Sequence, residues 1–235
     1  MLQAVLFDLD GTLLDVDLDG FLRRYFGALK AFAGPFFPGV DMLETVLSGT
    51  RAMQQPHDGI TNLETFARVF TDRTGVGFDE AWRLAFEDFY REVFPGLGAE
   101  YGPSKGAREA IEAARARGLK IVVATQPIFP RIAVEHRLTW AGLGDVEFDA
   151  VTTYEVMTAC KPRPGYFLQT ASMIGCDPRK CLMVGDDRDN DMPGSATGML
   201  TYYVGPDPEA RSDYRGPLTA LPALLERLAA ADVSG

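Results

Sequence analysis

The sequence predicts an α/β fold: a Rossmann-like parallel sheet core with helices on both faces, plus an inserted helical domain. Three observations carry the prediction. Apolar runs of strand character at residues 5–7, 120–124 and 181–184 each end in polar or acidic residues, as strands do when they deliver side chains to a sheet edge. From Pro95 and Gly96 onward such runs alternate with helical patterns, the signature of βαβ units. Between about Val16 and Phe94 no convincing strand pattern appears, and apolar residues recur at helical spacing instead.

Residues 5–7 form the first strand. The insertion, residues 16–94, reads as about four helices. Their stripes are Phe21, Leu22, Tyr25, Phe26 and Leu29; Met42, Leu43, Val46 and Leu47; Leu63, Phe66, Ala67 and Phe70; and Trp82, Ala85, Phe86, Phe89 and Tyr90. Residues 34–39, with two glycines and two prolines, break the first pair, and residues 55–59 break the second. The core domain, residues 1–15 and 95–235, resumes with a helix whose face is Ala107, Ala110, Ile111 and Ala114, closed by Gly118. There follow a strand over 120–124, a helix over 130–140, a short strand near 150–152, and a helix over 164–174 that Pro164 opens as its first residue. A strand over 181–184, a helix over 189–197 and a last core strand over 200–204 come next. A terminal helix over 218–230 packs through Leu221, Leu224, Leu225 and Leu228.

With 235 residues, 46% of them hydrophobic and 24% charged, the chain can bury a full core. Its net charge of -10 argues against a nucleic-acid or anionic-membrane surface, which would need clustered Lys and Arg. No run approaches the ~20 apolar residues of a membrane span, and the apolar start is too short for a signal peptide, so a cytoplasmic location is expected. Three cysteines without a C-x-x-C pair suit a reducing compartment. With only His57 and His136, a histidine-rich metal site is excluded, and no G-x-x-x-x-G-K-[ST], H-E-x-x-H or G-x-G-x-x-G motif is present. Oligomeric state has no signature in the sequence.

The chemistry concentrates where strands end. Asp8 and Asp10 follow the first strand and, with alternating side chains, lie on one side. Two ionised carboxylates this close repel unless a counter-charge is present, and a hard divalent metal is the natural one. A calcium-type loop or a plain acidic turn also fits that stretch alone. Thr125 and Gln126 end the second buried strand, where a hydroxyl can donate to a phosphoryl oxygen without adding charge. Lys161 is flanked by Pro162 and, one residue further, Pro164, which restrict its backbone, while Arg163 is expected to face solvent. Asp186, Asp187, Asp189 and Asp191 follow the strand over 181–184.

These four stretches, in this order, resemble the motifs of the haloacid dehalogenase superfamily of phosphohydrolases: D-x-D-G-T-[LV] at residues 8–13, the hydroxyl-ending strand at Thr125, K-P-x-P at Lys161, and G-D-x-x-x-x-D at residues 185–191. Gln126 departs from the asparagine common at its position. The resemblance implies that Asp8 is the nucleophile and Asp10 the general acid and base, and that Lys161 neutralises Asp8 and the phosphate. It implies phosphate binding by Leu9, Asp10, Thr125, Gln126 and Lys161, support from Thr12 through Asp10, and Mg²⁺ held by Asp8, the Asp10 carbonyl and Asp186. Asp187 and Asp191 compete to support Lys161 or the metal, and Asp189 reads as a helix cap. The insertion matches a C1-type cap that closes over a small phosphorylated metabolite, with Arg23, Arg24, Arg51, Gln54 and His57 as candidates to read it. A phosphomutase shares every core residue. A dehalogenase needs no acid at Asp10, a phosphonate-cleaving enzyme needs a cap lysine where only Lys30 stands, and loss of Asp8, Asp10, Lys161 or Asp186 would have signalled a non-catalytic binding module.

Overall fold

A computed structural model describes residues 1–57 and 59–233; Asp58, in the predicted second break, lies outside the described residues. Strand β1 (Ala4–Phe7) runs through the middle of a six-stranded sheet. The short strands β2 (Leu14–Asp15) and β3 (Gly102–Pro103) form a separate antiparallel pair. With β4 (Lys120–Val123), β5 (Ala150–Val151), β6 (Cys181–Gly185), β7 (Leu200–Tyr203) and β8 (Tyr214–Arg215), the large sheet has the order β5-β4-β1-β6-β7-β8, parallel throughout. Val5 lies opposite both Ile121 and Leu182.

Alternation along these strands separates two apolar layers. Val5, Phe7, Ile121, Val123, Leu182 and Val184 pack on one face with α5 (Ala107–Arg115), α6 (Arg131–Trp140) and α8 (Leu221–Val233). Ala4, Leu6, Val122 and Met183 pack on the other with Tyr166, Phe167 and Ala171 of α7 (Pro164–Met173). Both faces of the sheet are therefore covered, which is why its strands read as unbroken apolar runs.

Between β2 and β3 the chain is helical: α1 (Leu18–Ala33), α2 (Met42–Gln54), α3 (Asn62–Thr74) and α4 (Phe78–Ala81). Asp17, Asp41 and Thr61 cap the first three, and Thr61 with Glu64 forms a full capping box. The predicted fourth helix is not regular. After α4 it continues through π turns at Trp82–Phe86 and Phe89–Val93 and a 3₁₀ turn at Phe94–Gly98. The rings Phe78, Trp82, Phe86, Tyr90 and Phe94 recur every four residues. At 3.6 residues per turn each such step overshoots by about 40°, so the wider turns keep the rings in one stripe.

Three further expectations are corrected. The sheet gains β8 beyond the strand taken as last; it is only two residues long and carries no pattern. The helix over 189–197 shrinks to a 3₁₀ turn at Met192–Thr197, because the Asp187 carboxylate takes the N–H groups of Asp189 and Asn190 and Pro193 follows. Asp189 accordingly caps no helix; it pairs with Arg188.

Candidate active site

The parallel sheet reverses its strand order beside β1, and the carboxyl ends of β1, β4 and β6 meet there. Such a switch point opens a crevice. Here it is a cavity of about 270 Å³ whose walls include Asp8, Asp10, Thr125, Gln126, Lys161, Asp186, Asp187 and Asp191. Asp8 follows β1 directly, its N–H bonded to the Val184 carbonyl (2.9 Å). The chain then turns tightly, the Leu9 carbonyl accepting from Leu13 and Leu14 (2.9 and 2.8 Å). Leu9 itself is buried in the core and is not among the residues that wall the cavity. Gly11 has φ +83°, and a Cβ there would fall 2.3 Å from Asp186 Oδ2, so this turn takes no other residue without displacing that carboxylate.

Lys161 joins the acids. Its Nζ donates to Asp8 Oδ1 (2.7 Å) and to Asp191 Oδ1 (2.5 Å), with all three side chains buried. Burial weighs against its ammonium, but Asp191 and Asp8 outweigh it and hold the pKa well above the usual lysine value. Gln126 fixes the lysine's backbone: its Oε1 accepts from Lys161 N (2.9 Å) and its Nε2 donates to Lys161 O (3.3 Å). The longer amide arm thus clamps the turn. The Lys161–Pro162 peptide is cis. Thr125 is held by its carbonyl, which accepts from Thr152 Oγ1 (2.8 Å) and Tyr166 Oη (2.9 Å).

Of the two competing acids, Asp191 meets Lys161, and its Oδ2 also accepts from Asp187 N (3.0 Å). Asp187 lines the cavity but spends its carboxylate on Asp189 N, Asn190 N and Asn190 Nδ2. Thr12 does not orient Asp10; its Oγ1 donates to Asp186 Oδ1 (2.9 Å). Asp10 is bound instead by Arg137 of α6, through Nη1 to Oδ2. This arginine is 1% exposed and lies over the Phe129 ring, 4.6 Å from its centroid. Sequence reading missed it. The available signal was its place between Val134 and Leu138 on the apolar stripe of a helix, where a cation must have a buried partner. Arg163 is half-buried, with Nη1 fully buried, rather than facing solvent.

Among the polar residues of the helical insertion, Gln54 reaches the cavity, alongside Leu18 and Leu22 of α1. The others are engaged or exposed: Arg24 with Glu100 and Tyr101, Arg51 with Glu44 (2.6 Å), His57 with Asn62 (2.9 Å), and Arg23 toward solvent. Asn62 also donates to the Pro127 carbonyl (2.9 Å), tying the start of α3 to the loop after β4. Cys160, next to Lys161, is buried with its thiol pushed up to about 12, an inert group.

The haloacid dehalogenase-like hydrolase profile matches residues 2–197. The chain belongs to the haloacid dehalogenase-like hydrolases. It is 33% identical over 221 residues to hexitol phosphatase B of Escherichia coli, covering 90% of this chain and 87% of that protein. It is 28% identical over 201 residues to pyrophosphatase PpaX of Bacillus velezensis, covering 86% and 82%. Among solved structures, a 2-haloacid dehalogenase from Pseudomonas syringae superposes with a TM-score of 0.63 at 22% identity, over 97% of this chain and all of that one, a likeness of fold.

In this haloacid dehalogenase-like hydrolase the electrostatics favour a cation. Five carboxylates and two cations line the cavity. Oxygen atoms of Asp8, Asp186 and Asp191 lie within 4.8 Å of one another, a hard donor set suited to a divalent ion. Burial drives the Asp8 carboxyl well above its usual pKa, against the pull of Lys161 and with the push of Asp191 and Asp186. Asp186 is pushed up to about 6, chiefly by burial and then by Asp191, despite the Thr12 hydrogen bond. Burial likewise raises Asp191, with Lys161 opposing. Among the described residues no helix is long and apolar enough to cross a membrane.

Proposed function

We propose that the chain is a phosphomonoester phosphohydrolase that works through an aspartyl-phosphate on Asp8. The observation that carries this reading is the buried Lys161 ammonium bridging Asp8 and Asp191, with Asp186 in reach of the same point. A nucleophile held beside a fixed positive charge is set for an anionic substrate.

An Asp8 oxygen attacks phosphorus and the ester P–O bond breaks. Asp10 gives its proton to the departing alkoxide. Its Oδ2 is occupied by Arg137 while Oδ1 has no hydrogen-bond partner among the described residues, which leaves Oδ1 to carry that proton. Asp10 then takes a proton from water as the water oxygen attacks the same phosphorus. The acyl P–O bond breaks, returning the Asp8 carboxylate and inorganic phosphate. Lys161 offsets charge on the phosphoryl oxygens, and Thr125 sits at the β4 end to donate to one of them. Mg²⁺ fits the carboxylate set, with Asp8, Asp186 and the Asp10 carbonyl as its proposed ligands; when bound it would shield the acids from one another and stabilise charge on the phosphoryl group. We read residues 16–94 as the cap, because Leu18, Leu22 and Gln54 wall the cavity from that side.

The test is phosphate release from a panel of phosphomonoesters with and without Mg²⁺, beside Asp8→Asn. Metal-dependent release that disappears in the variant is expected; full activity in Asp8→Asn would sink the covalent route.

A further inference from the structure

Behind the acidic pocket lies a second cavity of about 230 Å³, enclosed between α1, α2, α3, the irregular fourth helix and the loop after β4. The two cavities share Leu22, Gln54, Ile128 and Phe129 as walls. Phe129 lines both spaces: Arg137 lies over its ring and Tyr25 meets it edge-on, with centroids 5.2 Å apart. The rest of the second cavity's wall is largely rings, Tyr25, Phe66, Phe86 and Tyr90 among them, and among the described residues no charged side chain lines the space. The Tyr25 and Tyr90 hydroxyls bond to each other (2.8 Å), and Thr50 Oγ1 bonds to its own helix at the Val46 carbonyl (2.9 Å).

Resting on the phosphatase reading, we infer that this cavity takes the alcohol portion of the substrate, and that the preferred substrates are phosphomonoesters of alcohols bearing an aromatic or branched hydrocarbon body. Close-packed interiors hold few voids larger than a water molecule, and an apolar cavity of about 150 Å³ already admits benzene. A space of about 230 Å³ admits somewhat more, a phenyl ring with a short chain. With the Tyr25, Tyr90 and Thr50 hydroxyls already bonded, the cavity offers a polyol the Gln54 amide, the Tyr154 hydroxyl and the Trp82 indole N–H, so a sugar or hexitol phosphate would shed water from most of its hydroxyls without replacement. The preference therefore runs opposite to the substrate in the name of the hexitol phosphatase relative.

Two esters of primary alcohols, 3-phenylpropyl phosphate and a hexitol 6-phosphate, match in leaving-group chemistry and differ in the body to be buried. Their dissociation constants on the Asp8→Asn protein with Mg²⁺, measured by calorimetry, test the cavity without turnover. The expected result is binding of the phenylpropyl ester at least about tenfold tighter, with a negative heat-capacity change from apolar burial. Leu47→Trp, which fills the cavity from α2, should cut that preference about tenfold or more. Thr50→Met fills it with a flexible chain and should act in the same direction if the tryptophan does not fold. Equal or tighter binding of the hexitol ester, or a preference that survives both folded variants, overturns the inference. The wild-type protein failing to release phosphate from either ester while the binding preference stands would overturn the phosphatase reading and leave the cavity's ligand class in place.

Discussion

The acidic pocket and the ring-lined cavity behind it are close in volume and share a wall, yet they are assembled by opposite rules. The pocket is made of single residues from distant parts of the chain, acids at strand ends met by cations from elsewhere: Lys161, in the turn before α7, meets an acid 153 residues away and Arg137 of α6 one 127 away. The cavity is made of repeated residue types on consecutive helices, Val46 and Leu47 on α2, Phe66 on α3, Trp82 and Phe86 in the π turn after α4. Reaction chemistry fixes the first at a few atoms. Bulk and polarity fix the second, which is free to vary with the alcohol it accepts. Changes in the pocket should therefore strike all substrates alike, and changes in the cavity should strike them selectively.

The largest expected effect is Asp8→Asn, a loss of at least about 10⁴-fold in kcat for polar and apolar esters equally, read by single-turnover phosphate release. A loss confined to one ester class would break the division between the two regions. Asp10→Asn comes next, at about 10²–10⁴-fold; trapped aspartyl-phosphate, seen by acid quench and mass spectrometry, would separate slowed hydrolysis from slowed attack. Arg137 sits against the shared wall, so its removal tests whether pocket and wall are one unit. Arg137→Ala leaves Asp10 without its buried partner and should cost about 3–5 kcal/mol in denaturant unfolding, and a cost below about 1 kcal/mol would mean the pair behaves like a surface one. The smallest effect concerns the cation. Asp186 is pushed up to about 6 and must be ionised to bind metal, so acidification protonates it and weakens binding. Mg²⁺ affinity should fall about fourfold from pH 7.5 to 5.5 through this group alone, measurable by calorimetry; tighter binding at the lower pH would remove Asp186 from the ligand set.

The legibility of the two regions in the sequence follows the same contrast. Asp8, Asp10 and Asp186 stood out because an acid directly after an apolar run has few structural explanations, and Lys161 because prolines at 162 and 164 restrict its turn and the motifs come in order. Their partners were harder to read. Whether Thr12 reaches Asp10 or Asp186 depends on the turn at Gly11, and the choice between Asp187 and Asp191 depends on a 3₁₀ turn that the sequence presented as a helix. Arg137 was hidden because periodicity treats a charged residue on an apolar stripe as noise, although the cost of burying it is the signal. For the cavity, Tyr25, Phe66, Phe86 and Tyr90 were legible as helix stripes, and each is buried. The void among them was not legible, since a stripe states which face turns inward and not how completely the facing side chains fill the space.

The place of β1 between β4 and β6 has a consequence in time. Asp186 follows Thr12 by 174 residues, and at roughly 5–20 residues per second synthesis of that interval takes about 9–35 s. For that period the innermost strand has an open edge, of the kind that pairs with other chains. The helical segment is made during the wait, and it belongs to the same apolar layer as Val5 and Phe7, so one face of β1 can be covered early. The other face, Ala4 and Leu6, waits for α7, and the edge itself waits for Cys181–Gly185. A chain released before that point carries Asp8 but neither Asp186 nor Asp191, and leaves an edge of β1 unpaired.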